Sequence, residues 1–271
     1  MAVEPVMWLD GHFVSAETQD LIRAQSYGAY TSFRVEDSAV RGLDLHLSRL
    51  SKWALDLFGA DIDRHAVKRG LAQAVAGREQ AWIKINLFSD QITPRTPEAV
   101  VRPGVLISVT PAPAPLGAGL RCVGLVHERY RPEIKHVATF DLIHARREAR
   151  IQGYDDVVLI DRFGRLTEGG TWNLGFVQSD TVIWPKGAML DGVAQILIKQ
   201  GLADMGVEQR QEVVDLDALG VMDAAFACNS ATPCAGLASI NDIRFAGAPD
   251  LLAKVEAAWR SHPPHAIVRA P

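Results

Sequence analysis

The sequence predicts an α/β (α+β) chain organised as two domains, and three observations carry that prediction. Apolar residues switch from a helical period of about 3.6 to a strand period of 2 within the N-terminal part. Alternating prolines and glycines, "PAPAPLGAG" at 111–119, punctuate the middle of the chain, because proline holds an extended backbone and glycine releases it. Beyond them, strand-like runs separated by turn-rich breaks alternate with helical stretches.

The elements follow in order. A short apolar element at 7–14 is interrupted by Asp10-Gly11, a hairpin turn signal. Leu43, Leu47, Leu50, Ala54 and Leu57 recur at helical spacing, with Gly59 placed to stop the helix and His46, Arg49 and Trp53 on a second stripe. A second helix covers 62–76, with Val67, Leu71 and Ala74 inward. In "AWIKINLF" Ile83, Ile85 and Leu87 alternate with Trp82, Lys84 and Asn86, and "GVLISVT" has strand composition. After the proline segment, "LRCVGLV" and "DVVLI" read as strands and Phe140–Ile151 as the helix between them. Two hairpins follow, placing Glu168 on a strand or strand end in an antiparallel meander. A helix starts after Asp191-Gly192 and stops at Gly206, "LLAKVEAAWR" forms the last helix, and "SHPPHAIVRAP" reads as a frayed tail. The expected division is a smaller N-terminal domain at 1–110, a linker at 111–119 and a larger C-terminal domain at 120–271.

Composition bounds the function. With 271 residues, 48% hydrophobic and 22% charged, the chain can bury a sizeable core. A net charge of −4 gives no basic footprint for nucleic acid. No apolar run is long enough for a membrane span, and no signal-peptide pattern opens the sequence. The 3 cysteines have no CxxC spacing, which fits a reducing cytoplasm and predicts no metal site. Walker, GxGxxG, GxSxG and HExxH motifs are absent. Among the lysines, six fall on polar helix faces, a polar strand face or a turn. Lys135 differs, because "PEIKHVATF" sets it among Ile134, Val137 and Phe140. Two readings stand: an amine that snorkels from a strand end, or a desolvated amine of lowered pKa, available for a Schiff base.

"IKHVATFDLIHARREARIQGYDDVVLIDRFGRLTEGGTWNLGFV" runs from that lysine through a helix with an "REA" segment to a paired-acid strand, then to "TEG" and an asparagine. It resembles the central signature of the class-IV, fold-type IV pyridoxal-phosphate enzymes, which include branched-chain and D-amino-acid aminotransferases and aminodeoxychorismate lyase. "LHLSRL", "LDGVAQ" and "CNSA" are similar to flanking segments of that family, so the resemblance spans nearly the whole chain. It implies two α/β domains with pyridoxal 5'-phosphate (PLP) in the cleft between them, the larger C-terminal domain binding the cofactor, and a homodimer. Lys135 is implied to form the Schiff base and to shuttle the substrate α-proton, and Glu168 to keep the pyridine nitrogen protonated. The phosphate is implied to bind Arg49, the backbone N–H groups of Val193 and Ala194 at a helix start, and Ser230.

Departures from the family pattern matter as well. Phe140 stands where branched-chain aminotransferases carry a tyrosine that touches the cofactor. Ala194 replaces a threonine, removing one phosphate-binding hydroxyl. "YGAYTSFRV" is shorter than the corresponding family segment and lacks its acid, which marks Tyr30 as part of a reshaped pocket wall. Arg34, Arg129 and Arg131 are candidates for the substrate carboxylate, each equally readable as a surface charge. Trp172 is expected to narrow the pocket, and Gly169 and Gly170 to leave room for the cofactor ring. The implied function is an aminotransferase. A lyase releasing pyruvate, or a PLP-binding protein without turnover, are the alternatives, and joint retention of Lys135, Glu168 and Arg49 argues against the last.

Overall fold

In the computed structural model, residues 6–14 and 26–267 are described. The chain divides into two compact units, one built from 1–114, 134–138 and 264–271, the other from 115–133 and 139–263. The break at 114/115 lies inside the proline segment. The short stretch around Lys135, expected in the second domain, belongs to the first unit because its backbone pairs there.

The first unit is a sheet covered by helices. β1 (Val6–Leu9) and β2 (His12–Phe13) form the expected hairpin. Asp10 and Gly11 both take positive φ, 48° and 88°, as a two-residue turn between twisted strands requires. β3 (Gly28–Glu36) leads through β4 (Ala39–Val40) into α1 (Leu43–Phe58) and α2 (Arg64–Val75), followed by β5 (Gln80–Phe88) and β6 (Gly104–Thr110). The period-2 alternation sets the inner face: Thr31 pairs with Ile85, Phe33 with Ile83, and Ile107 and Val109 lie opposite Ile85 and Ile83. These residues are buried with Leu47, Leu50 and Ala54 of α1 and Leu71 of α2. Each fully buried large side chain contributes about 1.5–3 kcal/mol. The opposite face carries Tyr30, Ser32 and Arg34 of β3 beside Asn86, Lys84 and Trp82 of β5.

The Lys135 segment joins the edge of β3. Ala29 and His136 form an antiparallel bridge, Tyr30 N–H donates to the Lys135 carbonyl at 2.8 Å, and Val137 N–H donates to the Gly28 carbonyl at 3.0 Å. Gly28 is required at this junction: its φ is +151°, and an added Cβ would sit 2.1 Å from the Leu87 carbonyl oxygen. Gly28→Ala is therefore expected to destabilise the protein by about 2–3 kcal/mol, seen as a lower urea midpoint, and to loosen the backbone that carries Lys135.

The second unit is a sheet that closes on itself. Its elements are β7 (Leu120–Val126), α3 (Phe140–Ile151), β8 (Asp156–Ile160), β9 (Leu166–Gly169), β10 (Asn173–Gln178) and β11 (Thr181–Pro185), then α4 (Val193–Asp204), β12 (Gln209–Glu212), β13 (Ala224–Cys228), β14 (Ala235–Ile240), β15 (Ile243–Arg244) and α5 (Pro249–Arg260). The strand order is β12-β11-β10-β13-β14-β7-β8-β9, and β9 pairs back onto β10 through Glu168 and Asn173. The expected meander is thus part of a closed ring, with β7 parallel to both β8 and β14. The pairing covers the outer edge of β9, leaves β12 at the end of the sheet, and encloses a core that includes Cys122, Val158, Leu174, Phe176, Ala225 and Ile240. Outside it, Ile198 and Leu202 of α4 and Val255 and Ala258 of α5 pack with Trp184 and Phe226.

The chain ends as β16 (His265–Ala266) on β4, so the sheet of the first unit runs β16-β4-β3-β5-β6-β1-β2. The tail read as frayed is therefore paired as far as Ile267, whose N–H donates to the Ser38 carbonyl at 2.9 Å. Residues 268–271 lie outside the described residues. All three cysteines are free, and burial pushes the Cys122 and Cys234 thiols up to about 12. Among the described residues, no helix is long and apolar enough to cross a membrane.

Candidate functional site

Some of the predicted residues gather in two groups, one in each unit. In the first, Tyr30 of β3 is the hub. The Lys135 Nζ lies 5.0 Å from the Tyr30 ring centroid and the Lys84 Nζ lies 4.3 Å from it. Both amines sit within cation–π range of one ring. Burial is the main reason that the Lys84 pKa is lowered; Tyr30 raises it, and Lys135 adds to the lowering. Lys84 read from sequence as a solvated strand residue, and the structure moves it beside Lys135.

On the other face of the same sheet, α1 brings up Arg49. Its Nε donates to Thr31 Oγ1 at 2.9 Å, and its Nη2 also donates to that oxygen. Its Cζ lies 5.1 Å from the centroid of the buried Trp53 ring. Burial brings the Arg49 pKa down to about 10, with Tyr30 acting in the opposite direction. The guanidinium therefore stays charged at neutral pH. The helical stripe of His46, Arg49 and Trp53 is thus real, but it faces the sheet.

In the second unit the centre is Glu168, only 6% exposed. Arg129 grips its Oε1 with Nε at 3.0 Å and Nη2 at 2.7 Å. The other oxygen, Oε2, accepts from Leu190 N–H at 3.3 Å. Leu190 is held a second time, its carbonyl accepting from Asn173 Nδ2 at 2.7 Å. Asn173 is the residue that pairs with Glu168 across β9 and β10. The loop so anchored leads through Gly192 into α4, whose start has no side-chain cap. The N–H groups of Val193 and Ala194 belong to that uncapped first turn, where no intrahelical acceptor exists. A fixed carboxylate and the first-turn N–H donors of α4 are thereby tied together by two residues.

The class IV aminotransferase family model matches residues 28–240, a span that contains both clusters. The chain belongs to the class IV aminotransferases. A probable branched-chain-amino-acid aminotransferase of Rickettsia felis is 28% identical over 109 residues, covering 40% of this chain and 38% of that relative. The chain thus spans less than half the length of that curated relative. The branched-chain aminotransferase of Thermoproteus uzoniensis, solved with norvaline, superposes with a TM-score of 0.82 at 19% identity, covering 94% of this chain and 93% of that one. The branched-chain amino acid aminotransferase of Thermobaculum terrenum, solved in its PLP form, gives 0.80 at 18% identity, covering 94% and 92%. At these identities the two structures establish the fold, which is fold-type IV.

Within this class IV aminotransferase several sequence expectations change. Trp172 is a core residue, 3% exposed and packed with Leu174 and Phe176; its Nε1 donates to Asp156 Oδ2 at 3.1 Å. It does not line a pocket wall, because the chain folds its ring under Gly169. An added Cβ at Gly169 would lie 2.1 Å from that ring, and one at Gly170 would lie 2.7 Å from Arg146 Cδ. The two glycines make room for the side chains of Trp172 and Arg146. Arg129 is paired with Glu168 and donates to the Pro132 carbonyl. Arg131, at φ 50°, pairs with Glu133 on an exposed turn. Arg34 donates to the Pro113 carbonyl at 2.8 Å and stands 3.9 Å from Glu36.

Phe140 opens α3, is 75% exposed and stacks on His144. Ser230 lies in a turn that Asn229 organises, its Oδ1 accepting from Ala231 and Thr232 N–H. Sequence reading missed the roles of Thr31, Arg129 and Asn173. Only Asn173 carried a signal, as the asparagine after "TEG". A cavity of about 380 Å³ in the first unit, lined by Asp63, Arg102 and Ile107 among others, contains none of the predicted residues. Among the described residues, no cluster of His, Cys, Asp and Glu is placed to hold a metal.

Proposed function

We propose that this chain is a PLP-dependent aminotransferase moving an amino group between an amino acid or amine and a 2-oxo acid. The observation that carries this reading is the buried Glu168 fixed beside the uncapped start of α4. A pyridine nitrogen that must stay protonated needs a carboxylate, and a phosphate needs clustered N–H donors. Leu190 and Asn173 tie residues meeting both needs together, so the donor set fits this cofactor. The PLP form of the Thermobaculum terrenum enzyme supports the same reading.

When bound, the cofactor supplies an electron sink for the charge that develops at the substrate α-carbon. Lys135 supplies the amine that carries it, and its Nζ takes and returns the α-proton. Glu168 holds the ring-nitrogen proton, and Arg129 fixes the Glu168 carboxylate from the other side. Of the second unit, the Val193 and Ala194 N–H groups and Ser230 would hold the phosphate and so orient the ring; Arg49 of the first unit is the guanidinium that would pair with it. Tyr30 and Lys84 border the Lys135 amine, and Arg34 is one candidate cation for a substrate carboxylate. The assembly is a homodimer, which light scattering tests.

A half-reaction screen decides the chemistry. Protein loaded with PLP is mixed with D- and L-amino acids, and bleaching with release of the matching 2-oxo acid is the expected result. Formation of p-aminobenzoate and pyruvate from aminodeoxychorismate would instead make it a lyase. A colourless protein after PLP addition overturns both.

A further inference from the structure

The anion role of Arg49 rests on the proposed function, which gives this guanidinium to the cofactor phosphate. Thr31, on the fully buried face of β3, meets His46 and Arg49, which stand one turn apart on α1. A guanidinium only donates hydrogen bonds. Its Nε, at 2.9 Å, and its Nη2 both point at Thr31 Oγ1, and together they occupy the lone pairs of that oxygen. The hydroxyl hydrogen of Thr31 then has His46 Nδ1, 2.6 Å away, as its acceptor. Arg49 Nη2 approaches the same nitrogen at 3.3 Å, again as a donor. Nδ1 therefore carries no proton, and the ring hydrogen sits on Nε2, a buried atom without a hydrogen-bond partner among the described residues.

The surroundings agree with a neutral ring. Burial first, and the Arg49 charge second, hold the His46 pKa well below 6.5. Protonating Nδ1 would set an N–H against an Arg49 N–H and the Thr31 hydroxyl. Phe33 packs against the imidazole at 4.7 Å between ring centroids. With Trp53 on one face, the guanidinium is pinned through Nε and Nη2, and its Nη1 makes no hydrogen bond among the described residues.

We propose that Thr31 and His46 are positioning residues: the Nε2–H tautomer of His46 accepts from Thr31, and Thr31 turns Arg49 so that Nη1 is left for an anionic group. The bonds run one way, from Arg49 to Thr31 to His46. Neither residue touches the anion. The sequence shows His46 on the Arg49 stripe, yet only the packing of α1 on β3 brings Thr31 to both.

Thr31→Val and Thr31→Ser test this in the full-length chain. The valine variant removes the hydroxyl at similar volume, and PLP affinity measured by absorbance titration is expected to fall about tenfold. Thr31→Ser should restore it, whereas affinity for pyridoxal, which lacks the phosphate, should stay unchanged in both. Nitrogen-15 spectra of histidine-labelled protein without cofactor should show His46 as the Nε2–H tautomer. Unchanged PLP affinity in Thr31→Val, an equal loss for pyridoxal, or an Nδ1–H or doubly protonated His46 at neutral pH overturns the proposal. Wild-type protein that binds no PLP overturns the functional reading and the anion role with it, while the tautomer measurement still decides the direction of the bonds. Normal turnover with an inert Thr31→Val sinks the positioning role alone.

Discussion

Lys135→Ala is expected to abolish the visible band that PLP produces on binding and to lower amino transfer by on the order of 10⁴-fold, with little change in stability. The segment that carries Lys135 is held by backbone bonds, from Tyr30 N–H to the Lys135 carbonyl and from Val137 N–H to the Gly28 carbonyl. Truncating the side chain leaves these in place, so thermal unfolding should be nearly unaffected. The informative control is Lys84→Met. Both amines lie over the Tyr30 ring, and Lys84 has the pKa that burial lowers. If the band survives Lys135→Ala and disappears in Lys84→Met, the cofactor amine has been assigned to the wrong lysine.

Changes at Glu168 and Arg129 should each destabilise the fold, because either one leaves a buried charge uncompensated, while Glu168→Gln should also slow the chemistry. Glu168→Gln keeps the shape and one acceptor oxygen but loses the charge proposed to hold the ring-nitrogen proton. PLP binding should persist, while single-turnover amino transfer slows by on the order of 10²–10³-fold; unchanged rates would refute the role. Arg129→Met acts on the fold. The two side chains are 8% exposed or less, and removing one partner of such a buried pair costs about 3–5 kcal/mol because the other charge is left uncompensated. The double variant Glu168→Gln/Arg129→Met should recover part of that loss, because neither charge remains buried. Urea unfolding of the four proteins measures the coupling directly.

Protonation of His46 gives the third handle. Its folded pKa lies below the unfolded value of 6.5, so the unfolded chain binds the extra proton first. This contribution to stability is therefore present above about pH 6.5 and is lost as pH falls below it. His46→Gln should flatten the acid limb of the unfolding profile in that window.

Much of the secondary structure was legible in local pattern. Leu43, Leu47, Leu50 and Ala54 predicted α1, the alternation of Ile83, Ile85 and Leu87 predicted β5, and the start at Phe140 and stop after Ile151 match α3. Each of these depends on neighbours within a few residues, where helical or strand periodicity is written directly. The run from Lys135 to Asn173 was specific enough to point to the family, because it joins several such elements at fixed spacing. Trp172 was misjudged for the opposite reason: an aromatic after two glycines looks the same in sequence whether it lines a pocket or fills a core.

By itself, the sequence determined the order and kind of several elements, above all α1, β5 and α3, and pointed to the family to which the chain belongs. Only the tertiary structure decided that the Lys135 segment pairs with β3, that β9 closes the second sheet through Glu168 and Asn173, that Arg129 serves Glu168, and that Thr31 links Arg49 to His46. Apart from the local Glu168–Asn173 pair, these pairings join residues 15 to 39 positions apart or more. They are set by strand register, by the closing of a sheet edge and by the burial of charge, which no local period encodes.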